Sequence, residues 1–424
     1  MPPDCHGPRR LRFPCGLRPE GPPSAGGYLP IAEHGVIGDL HTVALVGAEG
    51  TIDWHCPARM DAPSVFGALL DARRGGHWSL CPAGRHWRSR QLYLPETNVL
   101  VTRFMSEEGE LEVEDFMPVG AKPGTLVRRV IGVRGEPHLV MEIEPRFDYA
   151  RRRHSVQLRD DGALFDSAGQ ALTLHAPLRL RRTRTGVQAK FCVAPAEVLT
   201  LTLSPAELPP LAAGAFEATI AFWRGWLAGS RYEGRWRETV HRSVLALKLL
   251  THAPSGALAA AATTSLPERL EGGRRRDGRH PRAEDAARAA ELLRRLGLED
   301  DSRASLTWLA ERAETELGGF EGWRGCGPVR IGPPIEPASA PRGLPRAAFR
   351  AAEELARTGR VDEARLSFEK TLAHTNELGL LSEAIGPTGE QLGNFPHAAT
   401  HLALVSAALT LDGLLGPEEP SGKT

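Results

Sequence analysis

The sequence predicts an α+β protein, with a β-sandwich in the first half and a helical second half, and three observations carry that reading. From about residue 28 to 210, short β-type runs alternate with turns, the pattern of many short strands packed face to face. After Pro209 and Pro210 the apolar residues recur at helical spacing instead. Gly/Pro-rich stretches at 317 to 345 and 384 to 396 cannot continue a helix and read as loops between helices.

Taken in order, HTVALVGAEGTIDWHC (41 to 56) and NVLVTRFMSEEGELEVEDFMPV (98 to 119) are hairpin-like pairs. Further strand-like runs follow at LVRRVIGV (126 to 133), HLVMEIEP (138 to 145), ALTLHA (171 to 176), LRLRRT (178 to 183) and AEVLTLTL (196 to 203). One short helix, SVFGALLDA (64 to 72), is expected to interrupt them. The helical half offers FEATIAFWRGWLAG, WRETVHRSVLALKLL, AEDAARAAELLRRLGL, RASLTWLAERA, AAFRAAEELARTG, VDEARLSFEKTLAH and ATHLALVSAALTLDGLL. No internal repeat at a fixed short period is present.

A chain of 424 residues is long enough for two domains with ample core, since domains mostly run to ~100–200 residues. Hydrophobic content of 41% and charged content of 25% describe an ordinary soluble protein. The balance of 52 basic against 52 acidic residues argues against a phosphate-backbone binder, which would carry a basic excess or a basic face. Nucleic acid is therefore not the expected partner, and the basic run RRRDGRHPR at 274 to 282 reads as a solvated face. Six scattered cysteines without a CxxC pair imply neither a zinc site nor a disulfide framework, so no metal and no cofactor is expected, and a reducing cytoplasm fits. Residues 1 to 27, rich in Pro, Arg and Gly, read as a disordered leader, and 416 to 424 as a disordered tail. No apolar stretch approaches the ~20 residues that span a bilayer; the nearest is SVLALKLL at 243 to 250, so no membrane embedding is expected.

Among titratable residues, Glu383 stands out. It follows an apolar triplet and precedes a Pro/Gly turn in LLSEAIGPTGEQLGNFPHAATHLALV, which holds a carboxylate on a short loop at the mouth of the flanking helices. That placement suits a general base.

Several blocks, in one order, carry a resemblance. The segment YLPIAEHGVIGDLHTVALVGAEGTIDWHCPARMDAPSVFGALLDARRGGHWSLCP resembles the N-terminal β-domain of glycoside hydrolase family 15, the bacterial glucoamylase-like and trehalase-like proteins. In register with it follow FWRGW (222 to 226), RSVLALKLLTHAPSGALAAAATTSLPE (242 to 268), EGWRGCGPVRIG (321 to 332), GRVDEARLSFEK (359 to 370) and the LLSEAIGP…QLGNFPHAATH block. The resemblance covers most of residues 28 to 415. It implies a β-supersandwich over 28–210 and, over 211–415, an (α/α)6 toroid with the sugar site at one end.

Enzymes of this kind invert the anomeric centre with two carboxyl groups, one protonating the leaving oxygen and the other activating water, ~6.5–9.5 Å apart. Glu383 occupies the position of the general base in the family's LLSEE-type motif, whose second glutamate is Ala384 here; Ile385 and Gly386 replace the tyrosine and aspartate that follow it. The family's acid lies in a Trp-Glu-type segment, and none of the eight tryptophans here precedes a glutamate. Residues 332 to 345 join blocks that full-length members separate by further helices. With only about seven helical patterns in place of the toroid's twelve, and with helices of ~11–12 residues joined by loops of ~4–6, an incomplete toroid is expected.

The sugar-binding segment, aligned on LPERLEGGRRRDGRHPRAEDA (266 to 286), keeps Asp277, Arg279, Asp285 and Ala286 and replaces the family's aromatic positions. The resemblance thus implies Asp277, Arg279, Asp285 and Arg330 as substrate-binding residues; aromatic stacking on the pyranose is largely lost. His401 and Trp54 read as structural residues. The expected activity is inverting hydrolysis of α-glucosidic bonds in trehalose or α-glucans. The alternative is an inactive, truncated relative that binds carbohydrate or is vestigial. Helix faces left without neighbours by a shortened toroid predict homo-oligomerisation.

Overall fold

The computed structural model describes residues 28–84, 86–205, 211–269, 277–316 and 344–416. The leader and the tail, apart from Gly416, lie outside the described residues, as does Arg330.

Fifteen strands form two antiparallel sheets in the first half. They are β1 His34–Gly38, β2 Val43–Gly47, β3 Thr51–His55, β4 His77–Pro82, β5 Arg88–Tyr93, β6 Leu100–Met105, β7 Glu110–Phe116, β8 Leu126–Arg134, β9 His138–Glu144, β10 Ser155–Arg159, β11 Gly162–Ser167, β12 Gln170–His175, β13 Arg181–Arg182, β14 Val187–Cys192 and β15 Val198–Pro205. One sheet runs β1-β2-β3-β4-β9-β14-β13 and the other β10-β11-β12-β15-β8-β7-β6-β5. Alternation sets the faces: in β9, Leu139, Met141 and Ile143 are buried while their neighbours are more exposed. The edge strand β1 and its neighbour β2 are buried throughout.

A buried ion pair joins the sheets. Arg128 on β8 clasps Asp115 on β7 through Nε at 2.7 Å and Nη2 at 3.1 Å, and donates its remaining N–H groups to the carbonyls of Trp78 and Gly50 across the sandwich. With neither side chain exposed, the fan of acceptors is what makes a guanidinium tolerable in the core.

The helix expected at 64 to 72 is absent; these residues form turns. Phe66 bridges His55 of β3, and Gly67 donates to the Gly75 carbonyl at 2.8 Å. A Cβ on Gly75 would stand 2.0 Å from the Gly67 oxygen, so two glycines close the loop tightly while Val65, Phe66 and Leu69 bury against the sheet. Tertiary burial overrides the helical spacing of these apolar residues. The run at 178 to 183 contributes only the two-residue β13. Strands β1, β4, β5, β10, β11 and β14 lie outside the runs singled out from sequence.

The seven helical patterns all form helices: α1 Ala215–Leu227, α2 Arg237–Leu250, α3 Ala283–Arg295, α4 Glu299–Glu316, α5 Pro345–Arg357, α6 Val361–Leu372 and α7 Ala398–Leu415. Local chemistry sets their ends. α3 opens with Glu284 and Asp285 and closes with Arg294 and Arg295, each charge placed favourably for the helix dipole, and Pro345 opens α5 where a missing N–H costs nothing.

α7 is apolar on every side and long enough to cross a membrane, which corrects the expectation that 243 to 250 comes nearest. Most of it is buried, packed on α2, α3, α5 and α6, as suits the central helix of a core. Glu353 on α5 staples it by accepting from Ser406 at 2.8 Å and Thr410 at 3.2 Å. One hydrophobic cluster runs without interruption from Val36 and Trp54 in the sandwich to Phe368 and Leu411 among the helices.

Candidate active site

Glu383 precedes a two-strand hairpin, β16 Ala384–Ile385 with β17 Gln391–Leu392. Its N–H donates to the Asn394 carbonyl at 3.0 Å. In return its half-buried carboxylate accepts from the Asn394 side chain at 3.3 Å and the Asn394 N–H at 3.4 Å, both on Oε2. Asn394 is itself oriented by the Thr263 hydroxyl, which donates to Oδ1 at 3.1 Å and accepts from the Phe395 N–H at 3.0 Å. Further along the hairpin, Glu390 closes the turn through Thr388, and its carboxylate fills the space beside Gly386, where a Cβ would lie 2.2 Å from Glu390 Oε1.

The segment from Ala259 to Thr264 lies at the centre of the site. It makes single bridges from Ala259 to Pro281, from Thr264 to Asp277 and from Ala261 to His397. Its small buried residues allow three chain segments to approach closely. A Cβ on Gly278 would stand 2.9 Å from Ala261 Cβ, Asn394 Cγ and the Thr263 oxygen alike. The run of alanines reads in sequence as featureless, and its meaning is this close approach.

Gly393 brings the stem of a second acidic side chain near Glu383. Its N–H donates to the Pro267 carbonyl at 2.9 Å, and a Cβ built on it would lie 3.3 Å from Glu383 Oε2 and 3.4 Å from Glu268 Cγ. Glu268, half-buried in the LPE triplet, lies beside this loop and was not among the candidates drawn from sequence. The only signal was its place at the end of a family-like block.

Asp277 and Arg279 are turned inward. Arg279 Nε and Nη2 meet the two Asp277 oxygens at 2.9 and 2.8 Å, and Arg279 Nη1 donates to the Ala62 carbonyl at 2.9 Å. Both side chains are buried. Burial opposes the Arg279 charge, but the bond to Asp277 outweighs it and holds the pKa above its usual value. Close by, burial pushes the Cys56 thiol up to about 12. The Trp54 indole N–H donates to the Ala262 carbonyl at 2.9 Å, a second tie between sandwich and helical half. The polar atoms expected to hold sugar hydroxyls are thus engaged with each other and with backbone.

Asp285 sits in the first turn of α3, buried, with Oδ2 lacking a hydrogen-bond partner among the described residues. Burial raises its pKa against the pull of Arg282 and Arg346. The same two guanidiniums, added to burial, press His397 down to about 3. His401 is structural: Nδ1 meets the Ser243 hydroxyl at 3.0 Å and Nε2 accepts from the Leu381 N–H at 3.3 Å.

On the far side of the hairpin an open pocket of about 350 Å³ is lined by Pro345, Ser367, Lys370, His374, Ile385 and Pro387 among others; Glu383 does not line it. Among the described residues no group of three His, Cys, Asp or Glu side chains could hold a metal.

The "Trehalase-like, N-terminal" family model matches residues 26–202. The trehalase of Mycolicibacterium smegmatis is 32% identical over 324 residues, covering 69% of this chain and 48% of the relative. The trehalase of Thermoplasma acidophilum is 30% identical over 320 residues, covering 68% of this chain and 55% of the relative. The chain spans about half the length of these curated relatives. Among solved structures, a bacterial glucoamylase complexed with acarbose aligns over 93% of this chain and 68% of its own at 11% identity and a TM-score of 0.49.

Proposed function

Because this chain belongs to the trehalase-like family, we propose that it is a glycoside hydrolase that opens α-glucosidic bonds by inversion, in trehalose or in α-glucans, with Glu383 as the base. The observation that carries this reading is the Glu383 carboxylate, held by two bonds from Asn394 at the root of the hairpin. In the proposed reaction Glu383 takes a proton from water as that water attacks the anomeric carbon. A base needs to be within hydrogen-bond reach of that water and locked in orientation, and Asn394 supplies the lock.

Asp277 and Arg279 act in this scheme as positioning residues that join the site loop to the sandwich, and Asp285 as the remaining candidate for a sugar hydroxyl. Residues 28–210 form the trehalase-like β-domain and residues 211–415 a shortened toroid; the seven helices described support that division. The scattered cysteines support a cytoplasmic setting.

The engagement of both Asp277 and Arg279 in a buried pair favours a second reading, a relative that binds carbohydrate without cleaving it. Incubation of the purified protein with trehalose and with maltose separates the two. Glucose release that disappears in Glu383→Gln supports the hydrolase. Binding of either sugar by calorimetry with no release from the parent supports the second reading.

A further inference from the structure

We infer that Glu268 is the proton donor that works opposite Glu383. The inference rests on the hydrolase reading and completes it with a residue of this chain. The two glutamates arrive on different elements, Glu268 at the end of the segment that runs through the site and Glu383 at the root of the hairpin, yet both touch the space above Gly393. Gly393 has φ +76° and binds the Pro267 carbonyl at 2.9 Å, so the peptide that carries Glu268 is tied to the loop that carries Glu383. Inverting cleavage asks for two carboxyl groups with room for water and the glycosidic oxygen between them, and Glu268 and Glu383 stand on separate supports tied through Gly393. No tryptophan in the chain precedes a glutamate, so the position that supplies the acid in similar proteins is not filled in that form.

The step balances within the pair. Water loses a proton to the Glu383 carboxylate as its oxygen bonds to the anomeric carbon, the glycosidic carbon–oxygen bond breaks, and the Glu268 carboxyl gives its proton to the departing oxygen. Both groups then return to their starting states by proton exchange with solvent.

The test compares the parent, Glu268→Gln and Glu268→Asp on trehalose and on α-glucosyl fluoride, whose fluoride leaves without protonation. The expected result is a loss of about 10²–10⁴-fold on trehalose for Glu268→Gln, a change of only a few-fold on the fluoride, disappearance of the alkaline limb of the pH profile, and an intermediate loss for Glu268→Asp. Circular dichroism checks that each variant is folded; if Glu268→Gln is not, the graded loss and pH profile of Glu268→Asp decide. An active parent whose folded variants lose trehalose and fluoride hydrolysis equally, or lose neither, overturns this inference alone. A folded parent inactive on both substrates overturns the hydrolase reading, and this inference with it.

Discussion

Arg279 and Asp277 face each other through two parallel hydrogen bonds of 2.9 and 2.8 Å, fully enclosed between the site loop and the sandwich. A guanidinium so placed has three acceptors to satisfy it, Asp277 and the carbonyls of Ala62 and Met60. The pair therefore sets the distance between the two halves of the molecule at the point where the site is built.

Removing one partner leaves the other as an uncompensated buried charge. Asp277→Ala is expected to cost about 3–5 kcal/mol, read as a lower midpoint in urea denaturation. Replacing both together with Leu and Met should recover most of that loss. A single variant within about 1 kcal/mol of the parent would show that the clamp contributes little.

The Asn394 side chain is the only part of the Glu383 lock that can be removed without touching the carboxylate. Asn394→Ala should lower kcat on trehalose by about 10-fold and cost about 1–2 kcal/mol of stability for the lost buried bonds. KM should change less than kcat, since the side chain orients the base and is not proposed to hold the sugar. A KM that rises as far as kcat falls would sink the orienting role.

Gly393→Ala combines two penalties. At φ +76° an L side chain is strained by about 1–2 kcal/mol, and the added carbon would lie 2.9 Å from Glu383 Cβ. A drop in thermal midpoint together with loss of glucose release is expected. Gly413→Ala, in α7 with nothing near its Cβ position, should leave glucose release unchanged and hold or raise the midpoint, since alanine is the better helix former, and serves as the control.

A buried charge cluster in the sandwich makes stability fall as pH rises. His34 donates from Nε2 to Asp53 at 2.9 Å while Nδ1 faces the Pro30 and Ile31 carbonyls; Glu49 and Glu33 are the other ionisable groups against it. Burial works against the imidazolium, but Asp53 prevails and lifts His34 to about 9. Burial lifts Glu49 to about 7. In both cases the folded state holds the proton more tightly than the unfolded chain. The Glu49 contribution is therefore present below about pH 4.5 and is lost as pH rises to about 7. The His34 contribution is complete below about 6.5 and is lost on rising through about 9. Denaturation followed from pH 5 to 9 should show a decline on the order of 1–3 kcal/mol, and Glu49→Gln should flatten its lower half. A flat curve in the parent would contradict this.

Where local pattern and final environment agreed, the residues announced their structure. All seven helices follow from apolar spacing, and the change of period after Pro210 marks the passage from strands to helices. Residues 64 to 72 misled because Val65, Phe66 and Leu69 mimic a helical face, whereas Gly67 and Gly75 pin the segment as turns against β3. Glu383 was legible because its apolar approach and Pro/Gly exit are local features. The role of its neighbours was not, since Ala384 and Gly386 serve the hairpin and Asn394 does the holding.

The chain by itself determined the seven described helices, several of the strands and the place of Glu383 after its apolar triplet, because these depend on residues a few positions apart. Only the tertiary structure decided that Asp277 and Arg279 turn inward to each other and that Glu268 comes beside Glu383. Those outcomes depend on how closely distant segments can approach, and that closeness was set by the alanines from 259 to 262 and by glycines at 278 and 393, residues that carry no chemistry of their own.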